Sequence, residues 1–453
     1  MSNERSSFTG KIGFVLAAAG SAVGLGNIWR FPYLAARYGG GMFLLVYVIL
    51  SVTFGFSLIV AEIALGRKTQ QSPIGAFRSL DKRFSFVGLL ASLVPVIILP
   101  YYSVIGGWVL KYFVGFMTGE AGSMAESTYF NDYIAGAGQP LLWFAVFIGI
   151  TALIVLFGVQ KGIEKVSKVM MPALVVLMLF IVIYTIATMD GAWDGVLYYI
   201  TPDFSHFSIM TVVAAMGQLF YSMSLAMGIM ITFGSYMKKD ISIEKSTHQI
   251  EIFDTGIAFL AGLMIVPAVY AFSGGDASAL KQGPGLMFVT LPKIFETIPG
   301  GTVLGAVFFF MVLLAALTSG ISLMETIVST VMDKVKIGRK TCCLIVLGFS
   351  FLLGLPSSLG FSQAWSWVRP LGMNMLDFFD FVSNNLIMPV VAFFTCLFIG
   401  YFLKPKTLIE ELEVSGPFRA KGLFSVMIRY VAPLCVLLIL VSSVLNAFGV
   451  IVI

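Results

Sequence analysis

Histidine and cysteine are scarce in this chain of 453 residues. The two histidines, His206 and His248, lie next to expected loops, and neither is paired with a nucleophile, which argues against a membrane enzyme. The four cysteines all lie in apolar stretches, so we expect small buried side chains and no disulfide framework. They are Cys342, Cys343, Cys396 and Cys435.

Charge is also scarce, because only 11% of the residues are charged while 58% are apolar. The mean hydropathy is +0.96. A water-soluble core does not need so much apolar material, so the composition predicts an all-α polytopic protein of the lipid bilayer. The first apolar run is long, is interrupted by glycine and lacks a cleavage-site pattern, so we expect no removable signal peptide.

Eleven apolar segments are long enough to cross a membrane. Their expected bounds are 11–37, 41–67, 84–117, 140–158, 166–188, 206–237, 250–272, 302–332, 341–356, 374–403 and 423–449. If the N-terminus is cytoplasmic, 22 of the 28 Lys and Arg residues lie on the inner side and only six on the outer side, as the positive-inside rule requires. The six are Arg30, Arg37, Lys111, Lys281, Lys293 and Arg369. The pattern predicts a multi-pass protein of the cell membrane with an extracellular C-terminal tail, and the +5 net charge reflects this topology and no nucleic-acid surface.

The stretch 17–32 of the first segment contains three glycines, which weaken a helix at mid-membrane. Backbone groups freed by a break cannot face lipid, so they must line a cavity or be buried in protein. The glycines alone are equally explained by close helix packing. Asn27 and Arg30 shift the balance, because both are costly on a packing face without partners. A broken helix here would offer N–H groups to an anion and carbonyls to a cation such as sodium.

The sixth segment repeats this architecture, since the stretch 217–228 is polar and interrupted by glycine. Two interrupted spans at corresponding places indicate two five-helix halves in inverted orientation, a pattern that points to the binding site of a transporter. We therefore expect a single transmembrane domain over 1–453, with repeats at about 11–188 and 206–403 and one further helix at about 423–449.

Polar side chains inside other segments suggest specific roles. Glu62 is an intramembrane carboxylate, which we expect to brace the broken backbone of the first span. Asp254 is an acid inside a membrane span, where a purely structural role does not offset the free-energy cost of burying the carboxylate. The hydroxyl of Tyr102 could meet a substrate carboxylate or form an interhelical hydrogen bond. Thr318 and Ser319 could ligate sodium, although bonding back to the preceding turn is the more common use of such hydroxyls.

Taken together, these stretches resemble the neurotransmitter:sodium symporter family, and in particular its bacterial amino-acid transporters. The similarity is strongest over Ala19 to Phe31 and extends through the first ten spans. It implies a LeuT-like fold, with a 5+5 inverted repeat, one further helix and broken spans 1 and 6. It also implies that sodium moving down its gradient drives amino-acid import by alternating access.

The resemblance assigns roles residue by residue. The implied substrate site consists of Ser21, Ala22, Leu25, Gly26, Ile98, Tyr102, Tyr221, Ser222, Ser224, Met227, Ser319 and Leu323. Two sodium sites are implied, formed by Gly20, Ala22, Val23, Asn27, Ser222, Asp254, Ala315, Thr318 and Ser319. The implied gates are Arg30 with Asp380 on the outer side, and Arg5 with Asp333, supported by Tyr236, on the inner side.

Four features refine the expected function. Asp254 stands where many animal members have asparagine, and Ala258 cannot ligate chloride, so a fixed carboxylate replaces the anion and we expect chloride independence. Met227 lies in a break that differs from the Gly-Phe-Gly of other members, so the pocket could admit aromatic side chains. Gly24 leaves room for a substrate that brings its own carboxylate. The segment from Gly162 to Pro172 resembles one that unwinds in some bacterial members.

The leading hypothesis is therefore a sodium-coupled symporter that imports neutral or hydrophobic, including aromatic, L-amino acids with two sodium ions. One chain is expected to be sufficient for transport. A proton-coupled or sodium-independent exchanger of the same fold stays open as the alternative. A channel is disfavoured, because the polar residues converge at one depth and do not form a continuous lining.

Overall fold

The computed structural model describes residues 7–275 and 283–450, without the side chain of His206. The expected gate residue Arg5 and the cation Lys281 therefore lie outside the described residues. Within the described ranges the protein is helical, and its single β-bridge joins Gly40 to Pro202.

Nine helices are long and apolar enough to span a membrane among the residues described. They are Gly41–Thr69, Lys82–Thr118, Gly138–Leu156, Val159–Thr188, Ile243–Phe272, Gly301–Val335, Arg339–Leu359, Met375–Phe402 and Lys421–Ala447. A bent pair, Lys11–Ala22 and Gly26–Arg37, makes a tenth span. The remaining expected span, 206–237, is a 14-residue helix, Ile209–Ser222, followed after a gap by Ile229–Gly234. We number these eleven spans in chain order; the predicted bounds agree with the helices to within about seven residues.

Spans 1 and 6 are both broken near their middle. The two halves of span 1 meet at 56°. Span 6 loses its helical hydrogen bonds after Ser222, where Ser224, Ala226 and Gly228 have φ values of 52°, 60° and 71°. At Gly228 a Cβ atom would lie 2.7 Å from the ring of Pro73, so both the backbone conformation and the packing favour glycine there. The two breaks were predicted from glycine content and are confirmed.

Span 8, Gly301–Val335, is the most enclosed helix, since 89% of its most apolar window is buried. It packs against spans 1, 3, 4, 5 and 9. Span 4, span 5, span 9 and span 11 lie at the periphery, and only 39% of each corresponding window is buried. Because span 8 touches span 1 at the break, its small polar residues are brought next to freed backbone carbonyls.

Shorter helices close the two ends of the bundle. At the face where the described chain starts, called here the N-terminal face, these are Pro73–Leu80 and Pro405–Glu413. At the opposite face they are Ala121–Ala125, Tyr129–Ala135, Ala192–Ile200 and Leu291–Thr297. Arg67 at the end of span 2 is fully buried and forms an ion pair of 2.8 Å with Glu411, which ties the helix Pro405–Glu413 to the bundle.

Candidate functional site

A central cavity lies between the breaks of spans 1 and 6 and the facing sides of spans 3 and 8. All twelve residues expected to bind substrate line this cavity, together with Gly24, Asn27 and Ile229. The cavity volume is about 30 Å³, which accommodates a water-sized group and not an amino acid. Substrate binding therefore requires side chains around the cavity to move. The roles of the lining residues stay predictions.

Tyr102 of span 3 faces the break of span 1. It is 4% exposed, and its hydroxyl has no hydrogen-bond partner among the described residues. A Cβ atom on Gly24 would lie 3.3 Å from this hydroxyl and 2.9 Å from Ser319 Oγ. Gly24 therefore keeps open the space between the freed backbone and the tyrosine.

Asp254 of span 7 lies at the centre of a buried polar cluster. Its Oδ1 accepts hydrogen bonds from Asn27 Nδ2 at 2.8 Å and Ser222 Oγ at 2.7 Å, and its Oδ2 accepts one from Tyr47 at 3.2 Å. Asp254 and Asn27 are both 0% exposed. No described Lys or Arg forms an ion pair with Asp254, so the cluster holds a buried carboxylate with hydrogen-bond donors but no cation from the protein.

Gln218 of span 6 and Ala258 of span 7 bear on the expected chloride independence. The side chain of Gln218 donates to the carbonyl of Gly26 at 3.1 Å and so supports the break of span 1. Ala258 is fully buried and offers no polar side-chain atom. The side chains of Asn27, Ser222 and Tyr47 are engaged with the carboxylate, whereas Gln218 Oε1 is buried without a hydrogen-bond partner among the described residues.

A second group of oxygen atoms lies where span 8 meets span 1. Ser319 Oγ is 3.0 Å from the carbonyl oxygen of Val23 and 3.4 Å from that of Gly20. Thr318 Oγ1 donates to the carbonyls of Ala315 at 3.0 Å and of Leu314 at 3.1 Å. Five of the nine residues that the resemblance assigns to sodium therefore belong to two segments in contact, and these five are Gly20, Val23, Ala315, Thr318 and Ser319. Thr318 also bonds back to its own preceding turn, as such hydroxyls commonly do.

The structure corrects the expectation that Glu62 braces the break of span 1. Its Oε1 accepts a hydrogen bond of 2.7 Å from the backbone N–H of Ala226, so it braces the break of span 6 and not that of span 1. Its Oε2 has no partner among the described residues. Linear sequence could not distinguish the two breaks, because both expose backbone donors at the same depth.

A vestibule of about 490 Å³ opens above the central cavity toward the opposite face. Leu25, Tyr102 and Tyr221 line both spaces and form the partition between them. Arg30 and Asp380 line the vestibule, but no ion pair within 4.0 Å joins them. Arg30 instead lies 6.0 Å from the ring centroid of Tyr221.

Asp380 is held by neighbours that the sequence analysis did not single out. Its Oδ1 accepts hydrogen bonds from Tyr101 at 3.0 Å and from Asn384 at 2.6 Å. Asn384 lies one helical turn after Asp380 on span 10, a spacing that could have indicated this contact.

The N-terminal face is closed by the segment 7–10. The backbone N–H of Thr9 donates to Glu164 Oε2 at 2.8 Å, the Thr9 hydroxyl donates to Oε1, and Lys168 forms an ion pair of 2.6 Å with the same carboxylate. Phe8 packs between Phe14 and Phe233. Glu164 lies in the π-helical turn Val159–Glu164, inside the region where an unwinding segment was expected.

The expected inner gate is only partly described, since Arg5 lies outside the described residues. Asp333 Oδ2 accepts a hydrogen bond of 2.9 Å from the backbone N–H of Ser72. Tyr236 donates to Glu325 at 2.8 Å, and Glu325 is ion-paired with Arg339. Glu164 and Glu325 were missed because neither occurs in a recognisable motif; their importance comes from contacts more than ten residues apart in sequence.

Comparisons with known proteins agree with this architecture. A family model described as the sodium:neurotransmitter symporter family matches residues 5–133 and 123–450. The uncharacterized sodium-dependent transporter YhdH of Bacillus subtilis is 35% identical over 442 residues, which cover 96% of each protein. An uncharacterized sodium-dependent transporter of Haemophilus influenzae is 30% identical over 456 residues, covering 97% of this chain and 98% of that protein.

A solved structure gives the same result for the fold. The crystal structure of MhsT in complex with L-phenylalanine matches with a TM-score of 0.87 and 36% identity, covering 97% of this chain and 100% of that one. The expected LeuT-like helical fold is confirmed.

Proposed function

The chain belongs to the sodium:neurotransmitter symporter family and is a sodium-dependent symporter, and from this premise we propose that it imports a neutral amino acid through the central cavity. The observation that carries the proposal is the buried Asp254 cluster beside a cavity lined by two broken helices. The sodium dependence of the family argues against the sodium-independent exchanger that the sequence left open.

The first sodium ion would bind beside Asp254. A buried carboxylate that has donors but no protein cation favours an added cation, because an uncompensated charge is costly away from water. Asn27, Ser222 and the carbonyl of Ala22 supply further oxygen atoms in the same place. The substrate carboxylate would complete this site, so that ion and substrate bind together.

The second sodium ion would lie between spans 1 and 8. Ser319, Thr318 and the carbonyls of Gly20, Val23 and Ala315 form an all-oxygen group suited to a hard cation. Since these oxygens belong to two helices, an ion here would hold the helices together and link sodium occupancy to the conformation of span 1.

The substrate would lie with its carboxylate toward the N–H groups of Leu25 and Gly26 and the hydroxyl of Tyr102. The unpartnered Tyr102 hydroxyl supports this orientation, because a buried donor without an acceptor costs about 1–3 kcal/mol until a ligand satisfies it. The ammonium group would meet backbone carbonyls near Ala22, Tyr221 and Ser224.

The side chain of the substrate would face Ile98, Met227 and Leu323. These residues are apolar and no charged side chain lines the cavity, so a neutral or hydrophobic amino acid is favoured. The flexibility of Met227 allows the cavity to enlarge for an aromatic ring. The solved complex of MhsT, a similar protein, contains L-phenylalanine.

Transport would proceed by alternating access between two inverted repeats, at about 11–188 and 206–403. The N-terminal face would be cytoplasmic, in accordance with the distribution of Lys and Arg. Tyr102 and Tyr221 would then form the outer lid, with Arg30 and Asp380 approaching each other when the vestibule closes. One chain would be sufficient for transport.

The proposal is tested by uptake into proteoliposomes under an imposed sodium gradient. Radiolabelled leucine, phenylalanine and tryptophan should accumulate and compete with one another, and replacing chloride by gluconate should leave the rate unchanged. Asp254→Asn should raise the sodium concentration for half-maximal uptake about 10- to 150-fold, from the 1.5–3 kcal/mol typical of interactions with a charged group. Chloride should partly restore uptake by this variant.

Thr255→Ser is the matched control, because it lies next to Asp254 on span 7 but its hydroxyl faces Ser51. Its sodium dependence should match that of the unmodified protein. Uptake that is indifferent to sodium would refute sodium coupling, and uptake that collapses in gluconate would refute chloride independence.

A further inference from the structure

Two π-helical turns lie side by side near the N-terminal face. They are Phe398–Phe402 at the end of span 10 and Met427–Val431 near the start of span 11. Arg429 Nε donates to the carbonyl of Gly400 at 3.1 Å, and the hydroxyl of Tyr401 donates to the backbone carbonyl of Arg429 at 2.9 Å. The two hydrogen bonds run in opposite directions between the spans, so they hold the Arg429 side chain at a fixed level of the bundle.

The guanidinium of Arg429 lacks an acidic partner. No described Asp or Glu forms an ion pair with it within 4.0 Å. The bond to Gly400 uses one of its five N–H groups, and the side chain is only half-buried. Arg429 follows Lys421, the first residue of span 11, by about 12 Å of helix. A charge this far inside a span normally has a partner, because hydrocarbon does not solvate it.

The aromatic residues around Arg429 indicate its depth in the membrane. Tyr401 and Tyr430 are 52% and 63% exposed, although both belong to apolar spans. Tyrosine is enriched at the boundary between hydrocarbon and headgroups, where its ring lies in the apolar layer and its hydroxyl near the polar groups. The free N–H groups of Arg429 therefore lie at the depth of lipid phosphates.

An exposed apolar stripe continues from this point along span 11. Its residues recur at intervals of three and four, which places them on one face of the helix. They are Leu434, Leu437, Leu438 and Val441, which are between 44% and 59% exposed. Lys404, just after span 10, is exposed and forms no ion pair with a described acid. The surface thus combines an apolar stripe with positive charge at its N-terminal end.

We propose that Arg429 binds the phosphate of a phospholipid in the leaflet at the N-terminal face, with a preference for an anionic headgroup. The planar guanidinium matches two phosphate oxygens, so the contact is bidentate, and an acyl chain lies along the stripe. The lipid would satisfy donors that the described protein leaves free and would join spans 10 and 11. None of these residues lines the central cavity or the vestibule, so the proposal is independent of transport.

The test uses the full-length protein, stripped of lipid in detergent and titrated with single lipids in native mass spectrometry. Dioleoyl phosphatidylglycerol should bind at one saturable site, and dioleoyl phosphatidylcholine should bind there more weakly. Inorganic phosphate should not displace either lipid, because it lacks the acyl chains. Arg429→Gln should weaken binding of the first phosphatidylglycerol at least about 10-fold. Lys404→Met should reduce the preference for phosphatidylglycerol over phosphatidylcholine.

Two variants separate the guanidinium from its surroundings. Arg419→Gln is the matched control, since it removes the same charge from an exposed position at the same face. Tyr401→Phe removes one hydrogen bond between the spans but leaves the guanidinium intact. Both should bind phosphatidylglycerol like the unmodified protein. If Arg429→Gln does not fold, Arg429→Lys replaces it, because lysine keeps the charge but not the bidentate contact and should bind more weakly.

Unchanged affinity in the Arg429 variants would overturn the proposal, and so would an equal loss in Arg419→Gln, which would indicate general attraction to a positive face. Displacement of the lipid by inorganic phosphate would show a site for a free anion. A lipid-free dimer would show that a second copy of the chain covers the stripe.

Discussion

The two broken spans approach each other closely at Gly26, where the Tyr221 ring packs on the backbone. A Cβ atom at Gly26 would lie 2.6 Å from Tyr221 Cε1 and 2.7 Å from Cδ1, whereas ordinary contacts begin at 3.4 Å. Gly26→Ala therefore requires the ring to move by about 1 Å. Because Tyr221 belongs to the partition between central cavity and vestibule, the displaced ring opens that partition.

The size of the effect follows from the cost of overpacking, which is about 1–3 kcal/mol for an added methyl group in a well-packed site. The cost applies only to the conformation in which Tyr221 lies over Gly26. Gly26→Ala should thus shift the equilibrium between closed and open lid about 5- to 150-fold toward the open state. Sodium-driven uptake should fall by a similar factor, because occlusion becomes unfavourable.

The lid can be followed with a reporter cysteine, Ile229→Cys, which lies in the central cavity below Tyr221. A membrane-impermeant thiol reagent added outside reaches this position only when the lid is open. In the Gly26→Ala background the reporter should be modified faster by about 5- to 150-fold. The same background without the reporter corrects for the four native cysteines.

Gly217→Ala is the matched control, since a Cβ atom there would meet no atom within 4 Å. It should change neither the labelling rate nor uptake. Wild-type labelling and uptake in Gly26→Ala would refute the view that the contact between Gly26 and Tyr221 sets the lid equilibrium.

Two further predictions concern the N-terminal face. Glu164→Gln weakens the contacts to Thr9 and Lys168, so hydrogen exchange of residues 7–14 should accelerate about 10-fold or more, as measured by mass spectrometry. Arg67→Met leaves the buried Glu411 carboxylate without its partner and should destabilise the protein by about 3–5 kcal/mol, seen as a large loss of thermal stability in detergent.

Each of these two predictions has a discriminating control. For Glu164→Gln the control is Asp81→Asn. This variant alters a half-buried acid whose ion pair, within the described part of the chain, is with Arg83, and it should leave exchange of the segment 7–14 unchanged. For Arg67→Met it is the double variant Arg67→Met with Glu411→Met, which removes both charges and should recover most of the lost stability. An equally unstable double variant would show that the ion pair is not the cause.

Much of the fold was predictable because lipid imposes strong and local constraints on sequence. A span must be apolar over a known length, and charges gather at its ends, so the limits of Gly41–Thr69 or Ile243–Phe272 follow from composition. The breaks were predictable for the same reason, since glycine and polar residues at mid-membrane are costly unless the helix is interrupted there. Span 6 was expected as one interrupted segment, and its helical part ends at Ser222 as that interruption requires.

The candidate site was predictable only where residues lie in or near the breaks or match the family's motifs. Twelve expected substrate residues surround one cavity, and the acid of span 7 meets Asn27 and Ser222. The predicted role of Glu62 at the break of span 1 was wrong, because its carboxylate accepts a hydrogen bond from the backbone N–H of Ala226 in span 6. Glu164 was missed, because its role depends on Thr9, which lies 155 residues away in sequence.

The sequence by itself determined that this protein lies in a lipid bilayer. It also determined the number and limits of its spans, the two breaks and the residues that surround the central cavity. Those properties depend on hydropathy, glycine content and short motifs, which act over a few helical turns. Only the tertiary structure decided which break Glu62 braces, that no ion pair within 4.0 Å joins Arg30 to Asp380, and which segment closes the N-terminal face. Those properties depend on how helices distant in sequence pack against one another, and a one-dimensional pattern does not contain that geometry.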